Sequence, residues 1–195
     1  MKPTHTGHQA SPPEHSAGRR SQLEADIWAW LEGVADPEIP VISVVDLGIV
    51  RAVRVGAAGV TDDEVLEPVH CTIVITPTYS GCPAMKVIAA DIIAVLHQHG
   101  VSPVTIETAL SPAWSTDWMS EKGRQQLKDY RIAPPAQRVI DISGISRTRV
   151  ISPAVICPHC GSASTLCVSE FGSTSCKSLY KCKDCLEPFD YFKAH

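Results

Sequence analysis

The chain has 195 residues, a length that fits one ordinary domain or one domain with a small second domain. Hydrophobic residues make up 44% of it, and the formal net charge of −4 argues against a basic surface that binds nucleic acid or an anionic membrane. No apolar stretch approaches the roughly 20 residues of a membrane-spanning helix, and residues 1–20 lack the apolar segment of a secretory signal, so we predict a cytoplasmic protein.

The first 20 residues are rich in Pro, Ser, His and Gly, which predicts a disordered tail to which we assign no function. A helix is predicted to follow this tail, because Ser21 and Glu24 form a capping box. Apolar residues between Leu23 and Val34 recur on one face of that helix. The helix is predicted to stop at Gly33 and the DPEIP sequence that follows.

Two stretches rich in β-branched residues come next and predict strands. The first spans 49–55, after a turn at the DLG sequence of residues 46–48, and the second spans 69–77. The polar segment at 56–68 has the composition of a hairpin connection.

The segment TPTYSGCPAMKV, residues 76–87, combines turn residues with one cysteine at the start of a second predicted helix. Pro83 suits the first helical position, and Gly100 suits the position that follows the last turn. Cys82 is then the N-cap, where free backbone N–H groups and the helix dipole favour a thiolate, so we expect a lowered thiol pKa. A buried cysteine that caps the helix without any chemistry fits the sequence equally well.

A third strand is predicted over 104–110 and a third helix from Ser120 to about Tyr130. The order helix–strand–strand–helix–strand–helix predicts a compact α+β domain over 21–133. Several prolines mark 134–153 as a linker, which contains one candidate strand at 138–142.

The last part of the chain, 154–195, contains two CxxC pairs and is predicted to form a small zinc-ribbon-like domain. The pairs are Cys157 with Cys160 and Cys182 with Cys185, and 21 residues lie between them. Four thiolates make a closed tetrahedral zinc site, although four cysteines can also hold an iron–sulfur cluster. Two further cysteines lie in this region. Cys176, beside a lysine, is a candidate extra ligand or reactive thiol, whereas Cys167 fits a small buried residue.

Three carboxylates precede the first strand in non-helical sequence, at Asp36, Glu38 and Asp46. Asp46 is flanked by hydrophobic residues, where a carboxylate needs a partner. It either caps a turn or lies near Cys82 as a ligand or hydrogen-bond partner. No phosphate-binding loop, HExxH or GxSxG motif is present, so no catalytic residue is assigned. A thiol enzyme would need a base beside Cys82, and His70 is the candidate in that region.

Three stretches resemble the iron–sulfur cluster assembly domain of SufT-like proteins and of the eukaryotic cytosolic iron–sulfur targeting factor. They are DPEIPVISVVDLGIV, TPTYSGCPAMKVI and SPAWSTDWMSEKGRQQLKDYRIAPP, and the resemblance covers about 22–133. With the tail motifs FGSTSCKSLYKC and EPFDYFK, the chain resembles the D-subunit family of bacterial phenylacetyl-CoA epoxidase systems.

This resemblance implies a role in aerobic phenylacetate degradation, as an accessory subunit that helps to assemble or deliver iron or iron–sulfur centres. The implied partners are the oxygenase and reductase subunits. Cys82 matches the cysteine that the family associates with cluster or metal handling, and Asp36, Glu38 and Asp46 match acidic positions of its first motif. One cysteine cannot hold a cluster alone, so a homodimer, a neighbouring ligand or a partner thiolate is expected. Two alternatives stay open, a structural subunit without metal transfer and a Cys82 thiol enzyme.

Overall fold

A computed structural model describes residues 14–56, 70–135 and 154–193. The predicted connection at 56–68 from Ala57 on, the predicted linker from Ala136 on and the candidate strand at 138–142 lie outside the described residues. A short 3₁₀ turn at Thr116–Trp118 precedes the last helix. The other elements, in chain order, are α1 (Glu14–Leu31), β1 (Val50–Val55), β2 (Cys71–Ile75), α2 (Met85–Gln98), β3 (Val104–Thr108), α3 (Glu121–Asp129), β4 (Ile132–Ala133), β5 (Thr165–Ser169), β6 (Lys177–Cys182) and β7 (Pro188–Phe192).

The first sheet has the strand order β1-β2-β3, with β1 antiparallel and β3 parallel to the central strand β2. A parallel pair needs a crossover connection, which α2 provides. The apolar side of α2 is buried, as are the inward side chains of β2 and of α1, and these residues form one core. The predicted order of helices and strands is therefore confirmed, and so is the α+β fold class with its ribbon-like C-terminal part.

Helix α1 begins at Glu14 and not at the capping box of Ser21, so the predicted start is wrong. The predicted tail therefore overlaps the first turns of this helix, and residues 1–13 lie outside the described residues. The residues from Arg19 to Ser21 are exposed, which shows that the helix continues outward into solvent beyond its packed part. A capping box favours a helix start locally, but it does not prevent good helix formers from extending the helix before it.

A second sheet has the order β4-β7-β6-β5 and joins the two predicted domains. Strand β4 belongs to the predicted first domain, yet it pairs in parallel with β7, where Ile132 is opposite Asp190 and Ala133 is opposite Tyr191. Phe192 of β7 is 1% exposed and belongs to the core of the first sheet. The ribbon is therefore docked on the α+β domain through both a strand pair and buried side chains.

None of the helices in the described ranges is both long and apolar enough to cross a bilayer.

Candidate functional site

The four cysteines of the two CxxC pairs meet at one end of the ribbon. Their sulfur atoms all lie within 4.8 Å of one another. The Sγ atoms of Cys157 and Cys185 are 3.7 Å apart, and those of Cys160 and Cys182 are 3.6 Å apart. A tetrahedral ion with metal–sulfur bonds of about 2.3 Å separates its ligand sulfurs by about 3.8 Å. The arrangement therefore fits a closed four-thiolate metal site.

Backbone hydrogen bonds shape both turns that carry these cysteines. In the first turn, the N–H of Gly161 donates to the carbonyl of Cys157 at 2.9 Å, and Gly161 has a φ of 77°, which glycine adopts without strain. In the second turn, the N–H of Cys185 donates to Cys182 Sγ at 3.5 Å. This hydrogen bond lowers the pKa of the Cys182 thiol to about 6. One ligand is therefore ready as a thiolate, the form that binds metal.

The loop with Cys82 follows the end of the central strand β2 and leads into α2. The N–H of Cys82 donates to the carbonyl of Tyr79 at 3.1 Å, which closes a tight turn. Helix α2 begins at Met85 with Ala84 as its N-cap, so the prediction that Cys82 is the N-cap is wrong. Pro83 has no N–H, so its position beside the sulfur brings no hydrogen-bond donor.

The expected low pKa of Cys82 is also wrong. Burial raises the pKa of this thiol, and the carboxylates of Glu38 and Asp36 raise it further. Hydrogen bonds from the Ala84 N–H and the Tyr79 side chain oppose the shift without reversing it. The sulfur is therefore half-buried beside acidic groups, and not at a positive helix terminus.

The acidic DPEI loop faces this cysteine because of a local turn. Asp36 is buried, and its Oδ1 accepts hydrogen bonds from the N–H groups of Glu38 and Ile39, both at 2.9 Å. Burial raises the pKa of Asp36 despite these two donors. The turn holds the half-buried Glu38 near Cys82. Two of the three predicted carboxylates, Asp36 and Glu38, therefore do surround Cys82.

Asp46, the third predicted carboxylate, holds α3 to the DLG turn. Its carboxylate accepts hydrogen bonds from Ser43 Oγ at 2.9 Å and Ser120 Oγ at 2.6 Å, and it pairs with Lys122 Nζ at 2.9 Å. Gly48 lets the turn pass close to α3, because a Cβ there would lie 2.7 Å from the carbonyl oxygen of Trp118. Asp46 thus has structural partners, and it is not among the groups placed beside Cys82.

Replacing Asp46 with asparagine is expected to destabilise the fold by about 1–2 kcal/mol at neutral pH, since it weakens hydrogen bonds to a charged acceptor. Burial alone would raise the pKa of Asp46, but the bonds from Ser120, Lys122 and Ser43 outweigh it and the pKa is lowered. A lowered folded-state pKa stabilises the fold above the unfolded-state pKa, and this stabilisation disappears as the pH falls through the folded-state value.

Urea unfolding at several pH values tests this prediction. The difference between wild type and Asp46→Asn should be largest near neutral pH and shrink below about pH 4. Glu32→Gln is the matched control, because Glu32 pairs with the same lysine at 3.6 Å but is more than half exposed. It should change stability by only a few tenths of a kcal/mol. A difference for Asp46→Asn that did not vary with pH would contradict the proposed role of its charge.

His70, the candidate base of a thiol enzyme, is placed elsewhere. Its Nε2 lies 3.1 Å from Thr105 Oγ1 at the start of β2 and β3, whereas Cys82 follows the other end of β2. The arrangement of the described residues therefore gives the thiol-enzyme alternative no support.

Cys176 is the residue whose position the sequence reasoning missed. It was expected as an extra ligand of the ribbon metal, but it lies in the turn between β5 and β6 and packs in the core of the first domain. Its Sγ is 3.0 Å from Thr174 Oγ1 and 3.7 Å from Glu38 Oε2. Burial raises the pKa of this thiol to about 11. The lysine that follows it was a signal of special chemistry, but no pattern in the sequence indicated Glu38 as its partner.

Comparison with known proteins identifies relatives of both parts of the chain. Residues 24–107 match the family model described as "Iron-sulfur cluster assembly protein", and residues 144–193 match the "PaaD zinc beta ribbon domain". An Escherichia coli protein, named as a D subunit ("Putative 1,2-phenylacetyl-CoA epoxidase"), is 44% identical over 168 residues, which cover 86% of this chain and 91% of that protein. A Porphyromonas gingivalis "Fe-S protein maturation auxiliary factor" is 38% identical and covers 54% of this chain and 91% of its own length.

Two solved structures are similar to the first domain. A DUF59 domain of unknown function from Bacillus anthracis is 27% identical with a TM-score of 0.49, and the match covers 57% of this chain and 96% of that one. A Mycobacterium tuberculosis protein, described as associated with Fe-S complex assembly and repair, is 33% identical with a TM-score of 0.33. That match covers 56% of this chain and 86% of the other.

Proposed function

Because the chain belongs to the family of 1,2-phenylacetyl-CoA epoxidase D subunits, we propose that it is an accessory protein that matures the iron centres of that system. Its cargo is iron or an iron–sulfur cluster, which it delivers to the oxygenase or to the reductase of phenylacetate degradation. The chain itself carries no catalytic residue in this proposal.

The observation that carries this proposal is the position of Cys82. This half-buried thiol lies within the part of the chain that matches the iron–sulfur assembly family, on a loop at the end of the central strand. Two carboxylates from a separate loop, Asp36 and Glu38, lie close enough to raise its pKa. Thiolates and carboxylates are both ligands of iron, so the groups at this loop suit transient iron binding.

The four-cysteine site has a different task in this proposal. We assign it to a structural zinc ion, because its four sulfurs fill a tetrahedral shell and leave no open position. When bound, zinc would stabilise the ribbon and thereby the surface that it presents to a partner protein.

The test compares oxygenase and reductase subunits produced with the wild-type chain, without it, or with Cys82→Ser. Iron and acid-labile sulfide are measured on the purified partners. We expect underloaded partners without the chain and with Cys82→Ser, and full loading with the control Cys167→Ser, whose thiol contacts Glu170 at 3.6 Å on the outer part of the ribbon. Partners that are already loaded should then work without the chain.

The structural-subunit alternative predicts the opposite pattern, and the name of the Escherichia coli relative as a subunit is the observation that favours it. In that case the partners would contain full iron without the chain, and the epoxidase would still need the chain for turnover. Cys82→Ser would then be as active as wild type. This result would overturn the maturation proposal.

A further inference from the structure

A turn of the ribbon reaches back into the first domain and brings a second thiol toward Cys82. The turn between β5 and β6 carries Cys176, which is 5% exposed and packs in the core that also contacts Cys82. The N–H of Lys193, next to β7, donates to the carbonyl of Cys176 at 3.0 Å and fixes the turn against the sheet. The position of this thiol is therefore set by the docked ribbon.

Glu38 and Tyr79 each contact both sides of this interface. The Cys176 thiol donates to Glu38 Oε2 at 3.7 Å, and the same carboxylate acts electrostatically on Cys82. Tyr79 forms side-chain hydrogen bonds with Cys82 and with Ser175, the residue before Cys176. One glutamate and one tyrosine thus link the two cysteines, which come from different domains.

The cluster carries more acidic than basic groups. Two thiols and the carboxylates of Glu38 and Asp36 face one another, whereas the nearby Lys177 is buried and pairs with Asp190 at 3.3 Å. Acidic groups removed from water are costly without a compensating charge. A divalent cation would supply that charge, and two sulfurs with one carboxylate form a donor set that suits a transition metal.

We propose that Cys82, Cys176 and Glu38 together form a second metal site between the domains, which binds the iron(II) ion that the protein hands on. This inference rests on the proposed function for the identity of the ion, but the site itself follows from the positions of the three side chains. It supplies the neighbouring ligands that a lone Cys82 lacks. With three protein ligands, the ion keeps an open coordination position, whereas the ribbon site is closed.

The geometry also distinguishes a transient site from a permanent one. Among the described residues, only the four ribbon cysteines have all ligand atoms within 4.8 Å of one another. The interdomain ligands must therefore move closer to hold one ion, and Cys82 lies on a loop that can do so. The energy spent on this closure weakens binding and makes release easier, as a delivery site requires.

The experiment uses the full chain, purified without oxygen and holding one equivalent of zinc. Cobalt(II) is added as a spectroscopic probe, because its bonds to thiolates give charge-transfer absorption, and iron(II) is added in a parallel series. We expect wild type to bind one further ion with thiolate–cobalt absorption. Cys176→Ser, Cys176→Ala and Cys82→Ser should each weaken this binding at least about tenfold. The control Cys167→Ser should bind like wild type.

Zinc content and a thermal melt show whether each variant is folded. The serine and alanine variants at Cys176 leave different groups in the buried space, so a loss shared by both is a loss of the thiol. Binding at the wild-type level in both Cys176 variants would overturn the inference, and so would a wild-type chain that binds no second ion.

Failure of the inference is distinguishable from failure of the proposed function. Cys176→Ser is added to the iron-loading assay of the partner proteins, where the inference predicts underloaded partners. Partners fully loaded with Cys176→Ser but underloaded with Cys82→Ser would remove Cys176 from the site and keep the maturation role. Full loading with both variants would contradict the maturation role itself.

Discussion

Cys182→Ser is expected to release the metal of the ribbon and to unfold residues 154–193, the largest effect that we predict for a single substitution. The ribbon has a small core of its own, in which the fully buried residues are Ala133, Cys157, Cys182 and Phe189. Two of these four are ligands of the metal site, so the metal and the core are lost together. Metal binding in such small domains contributes about 10–16 kcal/mol of apparent binding free energy, which is also folding free energy.

The measurements are the zinc content of the purified protein and the hydrogen exchange of its backbone amides. Amides of β5 and β6 should lose protection in Cys182→Ser, while those of β2 stay protected. Cys167→Ser is the matched control, since it alters a half-exposed cysteine of β5 that does not belong to the metal site. A Cys182→Ser protein with wild-type zinc and wild-type exchange would contradict the assignment of these four cysteines as the metal site.

The parts of the fold that the sequence predicted depend on local patterns. The apolar side of α2, which includes Ile88, Ile92 and Leu96, recurs at helical spacing and is buried as expected. The strands β1 and β2 follow from runs of β-branched residues. The two CxxC pairs each form a tight turn, so their spacing was enough to predict that the four sulfurs meet.

The parts that the sequence did not predict depend on contacts between distant segments. Cys176 and Glu38 are 138 positions apart, and no local pattern pairs them. The strand β4 has two residues and pairs with β7, far along the chain, so its length gave no signal. The pKa of Cys82 was misjudged for the same reason, because the carboxylates that raise it come from a loop more than forty positions earlier.

Phe192 is the residue through which the docking of the ribbon can be tested without disturbing the metal. It ends β7, is 1% exposed, and packs its ring edge-on against Trp114 of the first domain, with the ring centroids 5.9 Å apart. It belongs to the core of the first sheet and not to the small core around the metal ligands. Phe171, in the turn after β5, is the opposite case, since its side chain is 70% exposed.

Phe192→Ala is therefore expected to lower the free energy of unfolding by about 3–5 kcal/mol, as removal of a buried aromatic ring does. The protein should keep its zinc, because the four cysteines are untouched, but it should lose the second-ion binding that needs Cys176 beside Glu38. Urea unfolding and the cobalt titration measure the two effects, and Phe171→Ala should change neither. A Phe192→Ala protein that is destabilised but still binds the second ion would show that Cys176 reaches Glu38 without the docked ribbon. Loss of both stability and ion binding, with zinc retained, would connect the packing of the two domains to the delivery site between them.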